Sequence, residues 1–182
     1  MNTSNHEHLR PGPLNGIKVL DLTQFLAGPF STQIFADLGA EVIKLEAPTG
    51  DWSRTLPPHF VGNDSCYYLS INRNKEAVAI DLKKPDSAKV MTTLISKSDI
   101  MLENFTPGTA ERLGYNYEKV KQIKSDIIYA SISGFGQSGP YRDLKGYDAV
   151  AQAMSGIMAA TGESDRAPVR VGPSMIDMGT GM

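Results

Sequence analysis

The stretch GIKVLDLTQFLAGPFSTQIFADLGAEVIKL, residues 16–45, decides the fold class of this sequence. Its first apolar run, residues 16–22, is typical of a strand that is covered on both faces. Pro29 suits a first helical turn and Gly39 a helix end, and the apolar residues between them recur at helical spacing. A second strand-like run follows at residues 41–45. The stretch therefore predicts a β-α-β unit with short connections.

Strand-like and helix-like segments continue to alternate beyond residue 45. The pattern predicts strands at residues 67–69, 77–80, 99–102 and 127–132, and helices at residues 85–96, 107–113, 117–123 and 147–158. A proline- and glycine-rich segment, residues 47–66, is predicted to be a long irregular loop. The alternation predicts an α/β fold with an open, mostly parallel, Rossmann-like sheet and helices on both faces. Ligands of such folds bind beyond the carboxyl ends of the strands, where this sequence has polar and glycine-rich segments.

The composition is that of an ordinary globular domain. The chain has 182 residues and a formal net charge of −2, which gives no reason to expect a nucleic acid or a membrane surface as partner. No stretch is apolar for long enough to span a bilayer, and the amino-terminal residues lack the apolar core of a secretory signal. We therefore predict a cytoplasmic protein with a disordered tail at residues 1–13 and a folded region at residues 14–182.

The chain has one cysteine and three histidines, which are few residues from which to build a metal site or a thiol active site. Cys66 cannot form an internal disulfide, which fits a reducing compartment, and we predict that it is buried or inert. His6 and His8 have the spacing of a metal-binding pair, but they lie in the predicted tail, and only His59 remains elsewhere. No metal site is therefore predicted.

Nucleotide-binding signatures are missing where they would be expected. The first strand is followed by TQFLAGP, residues 23–29, rather than by a G-x-G-x-x-G loop. Residues 134–139, GFGQSG, do spell that motif, but Pro140 and charged residues follow in place of an amphipathic helix. No P-loop sequence occurs either. A dinucleotide cofactor is therefore not predicted.

Four groups of motifs follow one another along the chain. The first joins LNGIKVLDLT (14–23), AGP (27–29) and LGAEVIKLE (38–46), and the second runs from NRNK (72–75) to IDLK (80–83). The third joins ENFTPG (103–108) to RLG (112–114), and the fourth joins GFG (134–136), GYDAVAQA (146–153), TG (161–162) and DMGTG (177–181). In this order they resemble the family III CoA-transferases of the CaiB/BaiF type, which include formyl-CoA transferase and carnitine CoA-transferase. The resemblance covers residues 14–182 and implies the amino-terminal portion of an incomplete large, CoA-binding domain.

The resemblance implies a catalytic nucleophile at Asp177. Family members transfer CoA from an acyl-CoA donor to a carboxylic acid through an aspartyl mixed anhydride and an aspartyl-CoA thioester, and Asp177 matches their aspartate. A carboxylate can serve as such a nucleophile because a covalent intermediate divides one acyl exchange into easier steps. From the local sequence alone, Asp177 would instead be predicted to cap a helix. The two roles are compatible, since a helix amino terminus favours a carboxylate anion.

The resemblance also implies a set of residues that bind CoA, as a substrate and not as a permanently bound cofactor. It implies phosphate contacts for Lys83, Arg112 and Lys145, adenine and pantetheine contacts for Asn104, Phe105 and Tyr147, thioester contacts for Leu26 and Ala27, and a further CoA contact for Ile80. Cations suit phosphate groups, arginine through its planar fork of donors and lysine as a point charge. Taken singly, each of these residues also fits an ordinary role as a surface charge, a turn residue or a core side chain.

The sequence departs from formyl-CoA transferase at two positions. Ala47 stands where that enzyme has an arginine, and Leu26 where it has a glutamine that contributes to the formyl and oxalate site. The resemblance therefore favours a different dicarboxylate, or a carnitine-type compound, as acceptor. Acyl-CoA racemases of the same fold use a histidine in the segment that reads GYD at residues 146–148 here, and no histidine follows His59. Racemization is therefore the less favoured alternative.

Full-length members of the family are longer chains that form interlocked homodimers. This chain stops at Met182, soon after Asp177. We therefore expect an amino-terminal piece that is inactive alone, or active only with a complementing carboxyl-terminal chain. A fragment that binds CoA or a partner chain without catalysis is the non-enzymatic alternative.

Overall fold

The fold begins with a turn that lies against the end of the first helix. The computed structural model describes residues 12–182, so residues 1–11 of the predicted tail, with its two histidines, lie outside the described residues. Gly12 is already part of the fold, because its carbonyl accepts a hydrogen bond from the N–H of Asn15 at 3.0 Å. The boundary between tail and folded region at residue 13 stays a prediction.

Residues 12–182 form seven strands and eight α-helices. In chain order these are β1 (Lys18–Asp21), α1 (Ala27–Asp37), β2 (Glu41–Glu46), β3 (Phe60–Val61), β4 (Asp64–Ser65), α2 (Cys66–Asn72), β5 (Glu76–Ala79), α3 (Ser87–Lys97), β6 (Ile100–Glu103), α4 (Thr109–Leu113), α5 (Tyr117–Ile123), β7 (Ile128–Ser131), α6 (Asp148–Met154), α7 (Ile157–Ala160) and α8 (Met175–Gly181). A 3-10 helix, Trp52–Thr55, lies between β2 and β3.

Five parallel strands form one sheet in the order β5-β2-β1-β6-β7, and β3 and β4 form a separate antiparallel hairpin. The predicted open α/β sheet is thus confirmed. The strand order reverses between β1 and β6, where Leu20 is in register with Met101. In open sheets of this kind, ligands bind in the crevice beyond the carboxyl ends of the two strands at such a reversal.

Helices cover both faces of the sheet because side chains alternate between the faces along each strand. The core on the side of α3 and α5 consists of Leu20, Leu22, Leu45, Met91, Ile95, Met101, Tyr115, Val120 and Ile127. The core on the side of α1 consists of Val19, Ala36, Ala40, Val42 and Leu102. Val19 and Leu20, adjacent in β1, thus belong to different layers, as expected of a strand that is covered on both faces.

Lys44 and Glu46 of β2 are buried, and both contact residues of the segment 47–66, which was predicted to be a long irregular loop. Nζ of Lys44 lies 2.9 Å from Oδ2 of Asp51. The carboxylate of Glu46 accepts hydrogen bonds from Nε and Nη2 of Arg54, at 2.8 and 2.9 Å, and from the hydroxyl of Tyr68 at 2.7 Å. Buried charges are tolerated when they are paired and hydrogen-bonded. These contacts fix the 3-10 helix against the sheet.

The predicted strand at residues 67–69 is wrong, because these residues belong to α2. The hydroxyl of Ser65 caps the helix by accepting a hydrogen bond from the N–H of Tyr68 at 3.0 Å. The hydroxyl of Tyr68 in turn reaches Glu46. A helix cap and a buried tertiary contact therefore outweigh the strand preference of the two adjacent tyrosines.

The predicted helix at residues 147–158 is interrupted. α6 ends at Met154 and α7 begins at Ile157. Gly156, between them, has a φ of +85°, a left-handed conformation that glycine adopts readily and that ends a helix. The break turns the chain before the loop that leads to α8.

Candidate active site

A cavity of about 530 Å³ opens beyond the carboxyl ends of β1, β6 and β7. The segments that follow these strands contribute Phe25, Leu26, Ala27, Asn104, Phe105, Thr106, Pro107, Ile132, Ser133 and Gly134 to its walls. The remaining wall includes Tyr67, Arg142, Lys145, Tyr147, Asp148, Arg170, Ile176, Asp177 and Thr180. The cavity lies at the reversal of the strand order, which is the ligand position expected for this sheet.

Asn104 joins the loops that follow β1 and β6. Its Oδ1 accepts a hydrogen bond from the N–H of Gln24 at 2.8 Å, and its Nδ2 donates to the carbonyl of Gln24 at 2.7 Å. The side-chain amide thus continues the pairing of the two chain segments beyond the last backbone hydrogen bond, which joins the N–H of Leu22 to the carbonyl of Leu102. Asn104 therefore supports the cavity wall besides lining it.

The loop between β1 and α1 makes a sharp turn before Leu26 and Ala27 reach the cavity. Phe25 has a φ of +67°, which is a strained conformation for a residue with a Cβ atom. Nζ of the buried Lys44 donates a hydrogen bond to the carbonyl of Thr23 at 2.8 Å. This contact and the Asn104 amide hold the two residues that precede Phe25.

A second buried ion pair holds the first turn of α1 against β1. Nζ of Lys75 lies 3.2 Å from Oδ2 of Asp21 and donates to Oγ1 of Thr32 at 2.7 Å and to the carbonyl of Pro29 at 2.8 Å. Burial lowers the pKa of Lys75 to about 8, although the charge of Asp21 opposes the change. The helix that carries Ala27 is therefore fixed to the sheet by hydrogen bonds from one side chain.

Asp177 lies half-buried in the first turn of α8, and it does not cap that helix as the local sequence predicted. Ser174 occupies the cap position without a side-chain hydrogen bond. The capping oxygen comes from α6, because Oδ1 of Asp148 accepts hydrogen bonds from the N–H groups of Ile176, at 2.9 Å, and Asp177, at 3.3 Å. The carboxylate of Asp177 therefore makes no capping hydrogen bond to α8.

Asp148 connects α8 to a buried side chain of α6. Its Oδ2 accepts a hydrogen bond from Nε2 of Gln152 at 2.6 Å, and Oε1 of Gln152 accepts one from the N–H of Val171 at 2.9 Å. Nη2 of Arg170 lies 3.6 Å from the same Oδ2 atom. In the sequence Asp148 stood out only as part of the GYD motif, and the partners that reveal its role are 22 to 29 residues away along the chain.

The cavity disfavours negative charge on Asp177. Burial raises the pKa of this carboxyl above its ordinary value, and the charge of Asp148 raises it further. The pKa of Tyr67 rises to about 12, first through burial and then through the negative charges of Asp177, Asp51 and Asp148. The phenol of Tyr67 therefore stays protonated at neutral pH and can donate a hydrogen bond within the cavity. Tyr67 was not predicted as a site residue, because residues 67–69 were predicted to form a strand.

Gly181 allows α8 to lie directly on α1. A Cβ atom at this position would stand 2.6 Å from the carbonyl oxygen of Ala27 and 3.1 Å from Cδ1 of Phe30. Only glycine fits this approach without displacement of backbone. The contact places the turn that carries Asp177 next to the turn that carries Leu26 and Ala27.

The cavity brings together most, but not all, of the residues that the sequence singled out. Those that line it are Leu26, Ala27, Asn104, Phe105, Lys145, Tyr147 and Asp177. Ile80, Lys83 and Arg112 do not line it: Ile80 packs against the core, and Lys83 and Arg112 are exposed, the latter with Nη2 2.6 Å from Oγ1 of Thr109. The roles of all ten residues toward CoA stay predictions.

Cys66 is exposed, so of the two predicted alternatives, a buried or an inert thiol, the first is wrong and the second stays a prediction. It is the first residue of α2, where the chain leaves the short hairpin and has not yet reached the core. The side chain that follows it, Tyr67, lines the cavity, whereas Cys66 does not.

A second depression, of about 580 Å³, lies between β7, α4 and α5. Its walls include the carboxylates of Glu103, Glu111 and Glu118. Such a lining opposes the phosphate groups of CoA, because like charges repel. The cavity around Asp177, which has cations on its walls, is the better candidate for an anionic ligand.

Of the helices in residues 12–182, none combines the length and the apolar character needed to cross a bilayer. Within the same residues, no three His, Cys, Asp or Glu side chains come together as a metal site.

The fold and the cavity together define an α/β domain whose candidate ligand site, at the reversal of the strand order, contains a half-buried aspartate. The chain matches the family model described as CoA-transferase family III over residues 14–182. It belongs to that family, and the resemblance found in its motifs is confirmed.

Known members of the family are similar to this chain over nearly all of its length. Succinyl-CoA:glutarate CoA-transferase of Homo sapiens is 50% identical over 171 residues, which are 93% of this chain and 39% of the relative. Acetyl-CoA:oxalate CoA-transferase of Acetobacter aceti is 48% identical over 162 residues, 88% of this chain and 41% of the relative. The crystal structure of a CaiB/BaiF family protein from Brucella suis has a TM-score of 0.91 and 40% identity, covering 94% of this chain and 47% of that one. The chain therefore spans about two-fifths of the length of these curated relatives.

Proposed function

We propose that this chain carries the nucleophile and the acyl-CoA site of a CoA-transferase that moves CoA from an acyl-CoA donor to a carboxylic acid. The observation that carries the proposal is the position of Asp177, half-buried in the cavity wall beside Leu26 and Ala27 at the reversal of the strand order. Its backbone is held by Asp148, and its carboxylate has no capping role. A nucleophile needs this combination of a fixed backbone and an accessible side chain.

The proposed reaction exchanges one thioester for another through Asp177. A carboxylate oxygen of Asp177 attacks the thioester carbonyl of the donor, the C–S bond breaks, and CoA leaves as a thiolate, so that a mixed anhydride of Asp177 and the acyl group remains. The thiolate then attacks Cγ of Asp177, which releases the donor acid and leaves an aspartyl-CoA thioester. The acceptor carboxylate reverses these two steps and departs as the new acyl-CoA, so that Asp177 is regenerated.

The electrostatics of the cavity suit this chemistry. A raised pKa makes the Asp177 carboxylate more basic than an ordinary aspartate, and burial leaves it less shielded by water. The protonated phenol of Tyr67 can donate a hydrogen bond to the oxyanion that develops when the carbonyl is attacked. Both properties follow from the same low-polarity surroundings.

The outer part of the cavity suits the CoA portion of the substrate. Arg142 and Lys145 supply exposed cations for phosphate groups, and Tyr147 supplies an exposed aromatic face for adenine. Pantetheine would then run between Phe105 and the β1–α1 loop toward Asp177. We further propose a homodimer for the whole protein and a cytoplasmic location, consistent with the exposed free thiol of Cys66.

The acceptor that we propose is a dicarboxylic acid. The names of the two relatives above specify glutarate and oxalate, both of which carry two carboxylates. With Arg142 and Lys145 assigned to the phosphate groups of CoA, Arg170 is a further cation on the cavity wall that a second carboxylate could use.

The test is a transfer assay combined with calorimetry on the purified chain. With succinyl-CoA and glutarate, and with the complementing carboxyl-terminal chain present, we expect glutaryl-CoA to form, and we expect Asp177→Ala to abolish its formation while CoA binding is kept. Cys66→Ala, which removes the exposed thiol outside the cavity, is the matched control and should keep transfer. CoA binding without transfer would favour the non-catalytic alternative, and an active Asp177→Ala chain would contradict the assignment of the nucleophile.

A further inference from the structure

Arg170 is a cation beside the proposed nucleophile that neither CoA binding nor the transfer steps require. Its Nη2 lies 3.6 Å from Oδ2 of Asp148, and the other oxygen of that carboxylate accepts a hydrogen bond from the N–H of Asp177 at 3.3 Å. The guanidinium and the backbone of the nucleophile are therefore separated by a single carboxylate group. Arg142 and Lys145, the other cations of the cavity, lie in the turn before α6 and have no contact with Asp148.

The pairing with Asp148 leaves most of the guanidinium unused. Asp148 already accepts three shorter hydrogen bonds, from Gln152 and from the N–H groups of Ile176 and Asp177. The Arg170 side chain is 49% exposed, and it has five N–H donors in a fork that fits a carboxylate in bidentate fashion. Arg170 makes a single contact of 3.6 Å to Asp148, whose carboxylate already accepts three hydrogen bonds. The other N–H groups of the guanidinium therefore remain available to a ligand.

The position of Arg170 is fixed from both sides along the chain. The N–H of Val169 donates to the carbonyl of Met158 at 3.1 Å, and the N–H of Val171 donates to Oε1 of the buried Gln152 at 2.9 Å. The backbone of Arg170 is thus held between α7 and α6, and only the end of its side chain has freedom to move. A site for a small anion needs a cation placed in this way.

We propose that Arg170 binds the second carboxylate of a dicarboxylic acyl group while the first carboxylate reacts at Asp177. This inference rests on the proposed function and gives it a residue that determines specificity. The donor acid and the acceptor acid each form a mixed anhydride with Asp177 in turn, so one cation serves both. Without such a cation, a distal carboxylate would approach Asp148 and Asp177, two negative groups, and would be repelled.

The test compares two acyl-CoA ligands that differ only in the distal carboxylate. Succinyl-CoA and butyryl-CoA have acyl chains of four carbons, and calorimetry on an Asp177→Asn chain measures their binding without turnover. We expect this chain to bind succinyl-CoA about tenfold more tightly than butyryl-CoA, as one charge-assisted hydrogen-bonding contact supplies. Adding Arg170→Gln should reduce the ratio to about one and leave the affinity for butyryl-CoA unchanged, whereas Arg170→Lys should keep part of the preference.

The controls separate this inference from the proposed function. Arg142→Gln removes another cation of the same cavity and should leave the ratio unchanged. A preference for succinyl-CoA that survives Arg170→Gln overturns the role of Arg170 and leaves the proposed function intact. Loss of butyryl-CoA binding in Arg170→Gln would identify a structural role and overturn the inference as well. Failure of the Asp177→Asn chain to bind either ligand overturns both the inference and the proposed function.

Discussion

The backbone N–H of Asp177 donates a hydrogen bond to Oδ1 of Asp148 at 3.3 Å. One neighbour therefore fixes the position of the proposed nucleophile and also raises its pKa through its negative charge. Asp148 is buried and accepts hydrogen bonds from α6 and α8, so moving it away would leave Nε2 of Gln152 and the N–H of Ile176 without this acceptor. The carboxylate of Asp148 thus influences both the position of the Asp177 backbone and the pKa of the Asp177 side chain.

The pH dependence of transfer should reflect this coupling. Attack requires ionised Asp177, and its pKa is raised, so the rate should fall on acidification at a pH above the ordinary aspartate value of 3.8. Asp148→Asn removes the charge but keeps an oxygen that can accept from the N–H groups of α8. We expect the acid limb of the kcat/KM profile to move to lower pH in this variant. An unchanged limb, or a shift to higher pH, would contradict the role of Asp148.

The packing of α8 on α1 should tolerate no side chain at Gly181. Gly181→Ala places a Cβ atom 2.6 Å from the carbonyl oxygen of Ala27, and we expect it to cost about 1 to 3 kcal/mol in the free energy of unfolding and to impair transfer. Gly179→Ala is the matched control in the same helix, because nothing lies within 4 Å of its Cβ position. It should instead stabilise the chain by about 0.5 to 1 kcal/mol. Chemical denaturation measures both, and equal effects would refute the packing argument.

The amide of Asn104 should matter for both stability and CoA binding. Asn104→Ala leaves the N–H and the carbonyl of Gln24 without their partner, which should cost about 1 to 3 kcal/mol in the free energy of unfolding. The released loop should also raise KM for acyl-CoA roughly tenfold, because substrate-positioning groups are sensitive to small displacements. Asn116→Ala, which removes the cap of α5, should cost about 1 kcal/mol and leave KM unchanged. Equal KM values in the two variants would contradict the loop argument.

The ion pair of Glu46 and Arg54 should dominate the acid stability of the segment after β2. Burial opposes ionisation of Glu46, but hydrogen bonds from Arg54, Tyr68 and the N–H of Asp51 outweigh it, and its pKa is lowered. The stability that this carboxyl contributes is therefore present above its ordinary pKa of 4.5 and is lost as the pH falls through the lowered value.

Arg54→Met should cost about 2 to 4 kcal/mol at neutral pH, because it leaves a buried carboxylate without its main partner. It should also flatten the pH dependence of unfolding below pH 4.5. The exposed pair of Arg73 and Asp37 provides the control, since Arg73→Met should change stability by less than about 1 kcal/mol. Thermal or chemical unfolding across pH provides the measurement, and similar losses in both variants would contradict the distinction between buried and exposed pairs.

The sheet could be predicted from the sequence because its signals are local. The apolar runs at β1 and β2, with Pro29 and Gly39 at the helix ends, specify a β-α-β unit without knowledge of the rest of the chain. The strand predicted at residues 67–69 was wrong because the side chain that stabilises α2, Tyr68, finds its partner in β2, 22 residues earlier. Such a contact leaves no periodic pattern in the sequence.

The candidate site could be predicted only in part, for the same reason. Asp177 and the residues after β1 and β6 lie in ordered motifs, and the cavity brings them together. Asp148, Tyr67 and Arg170 acquire their significance from hydrogen bonds and charges between α2, α6, α8 and the loop before α8. The capping of α8 by a carboxylate from another helix also explains why Asp177 was wrongly predicted to be the cap.

The most direct test of the central claim is to locate the covalent intermediate. The purified chain, together with the complementing carboxyl-terminal chain, is incubated with succinyl-CoA, quenched, digested and analysed by mass spectrometry, and Asp177→Asn and Cys66→Ser chains are treated in the same way. We predict an adduct derived from CoA or from the acyl group on the peptide that contains Asp177, present in Cys66→Ser and absent in Asp177→Asn. An unlabelled wild-type chain, or equal labelling of the Asp177→Asn chain, would contradict Asp177 as the nucleophile.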